Sequence, residues 1–333
     1  MQNGLRFNYA LACFATILIV LAGQGCDSSK DGSADRLPSS PTSNPVLVQP
    51  FKTQNAESTK TASLEPTGDY PIHSNIVATT FWVGEIFNAS LSDGSQVCST
   101  YDNQWAYHWS GKNIGATLAN ASGCPGSYYG GCDGVGSGTG ADFKCATETR
   151  TAANRYFPND RSKPLENPFY LDLPYDDLND PIAFKERCTV IPWAAADNVS
   201  ASRNNCANEG YSYIKNHWVK MIGPGGNICY GQIEDAGPSS GSAYHDKAYV
   251  FGSTDARPAN KQFSGDPSQG AGADVSPALN GCLGFADLDG DNDHMSWQFV
   301  DAAAVPAGPW KDVVTTSQVD GNVGTTHIID IGY

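Results

Sequence analysis

The feature that most constrains this chain is a pair of short phrases between Asn227 and Leu283, each of which carries one Asp at the end of an ordered element. In the first, an alternating strand runs into Asp235 and then a Gly-Pro turn. In the second, Asp274 ends a short run, and Ser276-Pro277 opens a helix with Ser as N-cap and Pro at the first helical position. Two carboxylates on rigid elements are the minimum for acid/base chemistry on a glycosidic bond, so Asp235 and Asp274 are the candidate catalytic residues.

The two phrases resemble the double-psi β-barrel domain shared by rare lipoprotein A, expansins and barwin-like endoglucanases. In rare lipoprotein A-like domains a strand closes in Asn-Asp-Arg-Gly-Pro and is followed by Ile-Asp-Leu-Ser, where this chain has Glu234-Asp235-Ala236-Gly237-Pro238 and Ala273-Asp274-Val275-Ser276. The resemblance implies an all-β fold with short helices, built on a six-stranded double-psi β-barrel. It also implies action on cell-wall or other β-linked polysaccharide, with Asp274 as the general acid.

The first barrel strand is predicted at residues 76–87, which are mostly β-branched and aromatic. Its centre resembles the Thr-x-Tyr-Trp that lines the substrate groove of expansins and barwin-like endoglucanases, which implies substrate contacts from Thr79, Thr80 and Trp82. The endoglucanases continue with an Asp that serves as catalytic base, but Val83 stands here. Glu85, on the same face of a strand as Val83, is the candidate for a displaced base. A lytic transglycosylase needs no such base, because the muramyl 6-hydroxyl attacks internally.

A second barrel strand is predicted at residues 168–177, turning out at Pro174. Its Leu-Pro resembles that of rare lipoprotein A, where a His three residues before the Leu contributes to the active site. The matching residue here is Tyr170, whose hydroxyl can still hydrogen-bond a glycan. Tyr170 is therefore a candidate substrate-binding residue, as is Tyr230 on the strand that leads to Asp235.

The cysteines predict disulfides in an oxidising compartment. Of ten Cys, one falls in the N-terminal apolar run and one follows it, which leaves an even set of eight: Cys98, Cys124, Cys132, Cys145, Cys188, Cys206, Cys229 and Cys282. Zinc is the alternative use, but the chain has no Cys-x-x-Cys pair. Eight Cys permit 105 connectivities, so the pairing stays open. Four of them fall at about 88–167, a Gly-rich region that the barrel interpretation makes a long, disulfide-stapled insertion.

The N-terminal 25 residues have the pattern of a secretory signal, with Arg6 before an apolar run that is short for a membrane span. Small residues and then Cys26 follow, as at the cleavage site of a bacterial lipoprotein signal, so Cys26 is the predicted lipidation site. The alternative is an ordinary signal with an incidental Cys. Residues 26–71 are rich in Ser, Thr and Pro and are predicted to be a disordered tether. Residues 72–333 then form the folded domain.

The net charge and the spacing of acidic residues limit which partners and cofactors can be expected. A formal charge of −15 argues against binding to nucleic acid. Acids at alternate positions, Asp287, Asp289, Asp291 and Asp293, begin like a calcium-binding EF-hand loop, but Gly falls at position four rather than six and Gln298 replaces the final Glu. A solvated acidic hairpin is the alternative to a calcium loop, and no other cofactor is indicated.

Together these observations predict an exported, lipid-anchored protein of the cell envelope that acts on a polysaccharide such as peptidoglycan. Whether it is an enzyme stays open at this point, because Val83 and Tyr170 replace residues that the resemblance would make catalytic. One alternative is a non-catalytic, expansin-like carbohydrate-binding protein. Another is a surface adhesin that uses the insertion at 88–167. In a purely structural interpretation, Asp235 and Asp274 only cap a turn and a helix.

Overall fold

A computed structural model describes residues 70–85, 98–112, 131–138, 143–159, 163–239, 243–288 and 290–319. Its strands are β1 (His73–Thr80), β2 (Val135–Ser137), β3 (Lys144–Ala146), β4 (Tyr170–Leu173), β5 (Trp218–Ile222), β6 (Ile228–Ala236), β7 (Ala271–Val275) and β8 (Asp293–Val300). Its α-helices are α1 (Trp105–Ser110), α2 (Pro181–Val190), α3 (Ala194–Ser200), α4 (Lys247–Val250) and α5 (Pro277–Leu283). Single 3-10 turns lie at Ala152–Asn154, Ala302–Ala304 and Pro309–Lys311.

Six of these strands close a barrel in the order β1-β7-β4-β6-β5-β8, and β8 pairs back onto β1. The barrel is mixed, since β1/β7 and β4/β6 are parallel and the other neighbours are antiparallel. The structure therefore confirms the predicted all-β class with a six-stranded barrel. The mixed, closed arrangement is compatible with a double-psi barrel.

The barrel core follows from period-two alternation along its strands. On β8, Met295, Trp297 and Phe299 are buried while the residues between them are half-buried. β5 and β6 form an antiparallel hairpin, with Gly226 at a φ of +83° in the turn. The helix predicted after Asp274 is α5, where the Ser276 hydroxyl accepts the Leu279 N–H at 3.2 Å.

The first strand is shorter than predicted. β1 ends at Thr80, and residues 82–85 form a turn in which the Glu85 N–H donates to the Trp82 carbonyl at 3.0 Å. Gly84 adopts a φ of +86° there, a conformation that ends an extended strand. Val83 and Glu85 consequently do not share a strand face, and the geometric reason for treating Glu85 as a displaced base is lost.

A small second core joins the barrel to the insertion. Trp105 and Trp109 of α1 are fully buried with Phe81, Val83 and Tyr170. The aromatic residues of the insertion thus pack against the end of the first barrel strand. Two short strands of the insertion, β2 and β3, pair as an antiparallel sheet.

Disulfides form as predicted, joining Cys132 to Cys145, Cys188 to Cys206 and Cys229 to Cys282. Cys98 is also disulfide-bonded, and Cys124 lies outside the described residues. The first of the three pairs lies in the insertion, and the third ties β6 to α5. These bonds indicate an oxidising, extracellular environment.

Several predicted N-terminal features lie outside the described residues, namely the signal at 1–25, Cys26 and nearly all of the tether at 26–71. Among the residues that are described, no helix has the length and apolar character needed to cross a membrane.

Candidate functional site

Three aspartates lie side by side on neighbouring barrel strands. Asp274 on β7 pairs with Asp172 on β4, and Asp172 pairs with Asp235 on β6. Thr79 on β1 pairs with Asp274 and extends the same line by one strand. We call Asp172, Asp235 and Asp274 the aspartate row. The two predicted carboxylates are thus brought together, with a third between them.

Asp172 is the centre of the row and was not predicted. Its side chain is buried, and one oxygen accepts the Asp274 backbone N–H at 3.0 Å. Gly237 approaches so closely that a Cβ at that position would lie 2.9 Å from Asp172 Oδ2. The pKa of Asp172 is raised well above its ordinary value by burial and by the charges of Asp274 and Asp235. The sequence signal that could have revealed Asp172 was its position as a single Asp inside the otherwise apolar strand Tyr-Leu-Asp-Leu.

Asp274 is half-buried, at the point where β7 passes into α5. Its Oδ1 atom is buried and has no hydrogen-bond partner within the described part of the chain. Desolvation by burial raises the pKa of Asp274 to about 7. A carboxyl in this state takes up and releases a proton near neutral pH.

Asp235 is buried but better hydrogen-bonded. It accepts the backbone N–H of Thr100 at 2.8 Å and that of Ala236 at 2.9 Å. Burial raises the pKa of Asp235 to about 7, with smaller contributions from the charges of Asp176 and Asp274, while the two N–H donors oppose the rise. The N–H donors favour the ionised form, so Asp235 is better suited than Asp274 to carry a charge.

The row is electrostatically uncompensated. Over the described residues, no salt bridge joins Lys or Arg to any of its three carboxyls; five basic side chains pair with acids elsewhere, as Lys215 does with Glu234. Three close carboxyls in a desolvated place cannot all ionise at neutral pH. The arrangement can therefore store a proton and transfer it to or from a bound group.

The predicted groove residues of the first strand are divided between two roles. Thr79 is half-buried in line with the row, and Thr80 accepts the side-chain amide of Asn280 at 2.9 Å. Trp82 is buried, and its indole N–H donates to the Cys145 carbonyl at 3.1 Å. The Thr pair therefore stays near the row, while Trp82 anchors the insertion.

The two predicted Tyr side chains are not brought to the row. Tyr170 is fully buried: its hydroxyl donates to Asp133 at 2.8 Å and accepts the Val83 N–H at 2.9 Å. The side chain thus links the barrel to the insertion, and this burial does not suit substrate contact. Tyr230 packs on Trp310 and lies five positions before Asp235, or roughly 16 Å along the strand.

The acidic segment shows no metal-binding arrangement in the residues that can be described. Those residues contain no group of three or more His, Cys, Asp or Glu able to hold a metal ion. Asp287 and Asp291 are exposed, and Asp293 accepts the Ala286 N–H at 3.1 Å. Asp289 lies outside the described residues.

Comparison with protein-family models, with curated proteins and with solved structures found no match to this chain. The functional interpretation therefore depends on the aspartate row and on the residue patterns around it.

Proposed function

We propose that this chain is an exported, polysaccharide-cleaving enzyme whose general acid is Asp274. The observation that carries the proposal is the register that places Asp274, Asp172 and Asp235 on three adjacent strands. The phrases around Asp235 and Asp274 resemble those of double-psi β-barrel enzymes that cut cell-wall glycans, and the mixed six-stranded barrel is compatible with that family.

The proposed chemistry needs one carboxyl to act twice. Asp274 donates its proton to the glycosidic oxygen as the bond from that oxygen to the anomeric carbon breaks. The resulting carboxylate then takes a proton from the hydroxyl that attacks the anomeric carbon, which regenerates the acid. If the hydroxyl belongs to a muramyl C6 the product is an anhydro sugar, and if it belongs to water the product is a reducing end.

The residues around Asp274 support this assignment. Its pKa of about 7 is matched to proton transfer near neutral pH, and its Oδ1 atom has no protein partner in the described residues. Asp235, which receives two N–H donors, is the polar group that orients the sugar. Burial and the charges of both neighbours raise the pKa of Asp172 well above its ordinary value, which favours the protonated form of the carboxyl between them.

The cellular setting of the proposal is the bacterial envelope. The disulfides favour an oxidising compartment, and the residues around Cys26 resemble a lipoprotein cleavage site. A lipid on Cys26, together with the tether predicted at residues 26–71, would hold the barrel at a membrane within reach of peptidoglycan.

A second candidate is a non-catalytic glycan-binding protein. The position of the endoglucanase base is occupied by Val83, which is fully buried, and its backbone N–H and carbonyl are bonded to Tyr170 and Asp133. No base can be supplied from there, so water-dependent inverting hydrolysis is the least supported of the cleavage mechanisms.

The test is glycan release from purified, insoluble peptidoglycan. Wild-type protein is expected to release soluble fragments, and Asp274→Asn is expected to fold normally but release none. Asp255→Asn, which changes an exposed Asp, is the matched control and keeps full release. Unchanged release by Asp274→Asn would remove Asp274 from the mechanism. Cosedimentation of the wild type without soluble product at any pH would select the binding protein.

A further inference from the structure

The loop at residues 98–102 reaches the aspartate row from the insertion. Cys98 in this loop is disulfide-bonded, and the backbone of Ser99 and Asp102 is joined by reciprocal N–H to carbonyl bonds. Between them, the Thr100 backbone N–H donates to Asp235 Oδ1 at 2.8 Å across a separation of 135 residues. Thr100 is thus the one described residue outside β6 that hydrogen-bonds the Asp235 side chain.

Thr100 is itself held by the segment that follows β4. The Asn179 side-chain amide donates to both the carbonyl and the hydroxyl of Thr100, each at 2.7 Å. The Thr100 hydroxyl in turn donates to Asp176, whose other oxygen accepts the N–H groups of Leu178 and Asn179, each at 2.9 Å. This hydrogen-bond network fixes the position and direction of the Thr100 N–H.

We propose that Thr100 is a positioning residue of the site, which fixes one oxygen of Asp235 and so favours the charged form of that carboxyl beside Asp274. Asn179 and Asp176 hold Thr100 and, within the described part of the chain, form no hydrogen bond with a side chain of the row. The proposal rests on the proposed function for its catalytic meaning, but the contact and its effect on Asp235 can be measured without any substrate. It also gives the insertion a role in the site, since it is the insertion that supplies this donor.

The acidic groups near Asp235 raise its pKa, whereas the Thr100 N–H lowers it. The carboxyls of Asp172, Asp176 and Asp274 disfavour a charge on Asp235, and the phenol of Tyr101 is itself buried near it. Because the charged neighbours of Asp235 are acids, its backbone N–H donors are what oppose protonation. Loss of the Thr100 donor should therefore raise the pKa of Asp235.

The experiment is a carbon-13 NMR titration of the Asp235 carboxyl in the full chain. Asn179→Ala removes the two hydrogen bonds that its side-chain amide donates to Thr100, and we expect the Asp235 pKa to rise by roughly 0.5 to 1, with a matching shift of any pH–activity profile. Asn154→Ala is the matched control, because that Asn also ties a loop through two side-chain hydrogen bonds but lies in another segment. Thr100→Pro deletes the donor itself and should give the larger rise.

The outcomes separate the two proposals. An unchanged Asp235 pKa in a folded Asn179→Ala variant, as judged by its thermal melt, would overturn the positioning role. A raised pKa in a protein that cleaves no glycan would support the role of Thr100 while contradicting the enzymatic function. An equal rise in Asn154→Ala would show a general loosening of the fold and would also overturn the proposal.

Discussion

Asp172 places a third carboxyl between the two predicted aspartates. A lone carboxyl at the end of a strand would sit near its ordinary pKa, but Asp235 and Asp274 both rise to about 7 with burial as the main cause. Function and stability are therefore opposed at these residues, because a buried carboxylate costs free energy of folding whenever it is ionised.

That opposition predicts a dependence of stability on pH. The pKa values of Asp235 and Asp274 are higher in the folded chain than in the unfolded chain. The stability that this difference contributes is fully present below about pH 4 and is lost as the pH rises to about 7. The double variant Asp235→Asn/Asp274→Asn should lose less stability over this range and be more stable than wild type at pH 8, by roughly 1 to 4 kcal/mol. Urea denaturation at pH 5 and pH 8 measures this. A wild type and variant with parallel pH profiles would contradict it.

Asp235 and Asp274 could be found from the sequence because each stands beside a local structural signal, a Gly-Pro turn or a Ser-Pro helix start. It could not locate Asp172, since no local pattern reveals which strands become neighbours across some 60 to 100 residues. The surroundings of Tyr170 could not be predicted for a related reason: whether its side chain faces a groove or the insertion depends on packing with Val83 and Asp133.

At the scale of elements, the β7–α5 junction fixes Asp274. Ser276 caps α5, and its backbone N–H also donates to the Tyr170 carbonyl at 2.9 Å, so one residue ties the helix to β4. The strands that carry Asp172 and Asp235 and the start of α5 were predictable from alternation and capping residues. The end of β1 was not, because Gly84 stops the strand within a run of β-branched and aromatic residues.

Ser276→Ala should lower the free energy of unfolding by about 1 kcal/mol, since it leaves the Leu279 N–H without its capping acceptor. Ser200→Ala, at the exposed end of α3, is the control and should change stability by less than about 0.5 kcal/mol. Chemical denaturation measures both. Equal stability of Ser276→Ala and wild type would show that the cap does not support the junction.

In the molecule as a whole, the disulfides add covalent links between elements that strand pairing does not join. Cys229 and Cys282 are separated by 53 residues and connect β6, which carries Asp235, to α5, which begins shortly after Asp274. The sequence predicted disulfides from the even number of Cys, but the partners depend on three-dimensional proximity that the spacing does not encode.

Cys229→Ala/Cys282→Ala should destabilise the fold by roughly 4 kcal/mol, from the entropy of a loop of this length in the unfolded chain. The measurement is guanidinium denaturation without reductant, against the same experiment on Cys188→Ala/Cys206→Ala, whose shorter loop of 18 residues should cost roughly 3 kcal/mol. No loss of stability in the first variant would contradict the pairing.

The measurement that most directly tests the aspartate row is a carbon-13 titration of all three carboxyls in the wild-type protein. We expect Asp235 and Asp274 to titrate near pH 7 and Asp172 to stay protonated well above its ordinary range. Three independent titrations near pH 4 would mean that the carboxyls are solvated and apart, and the proposed acid/base site would then not exist.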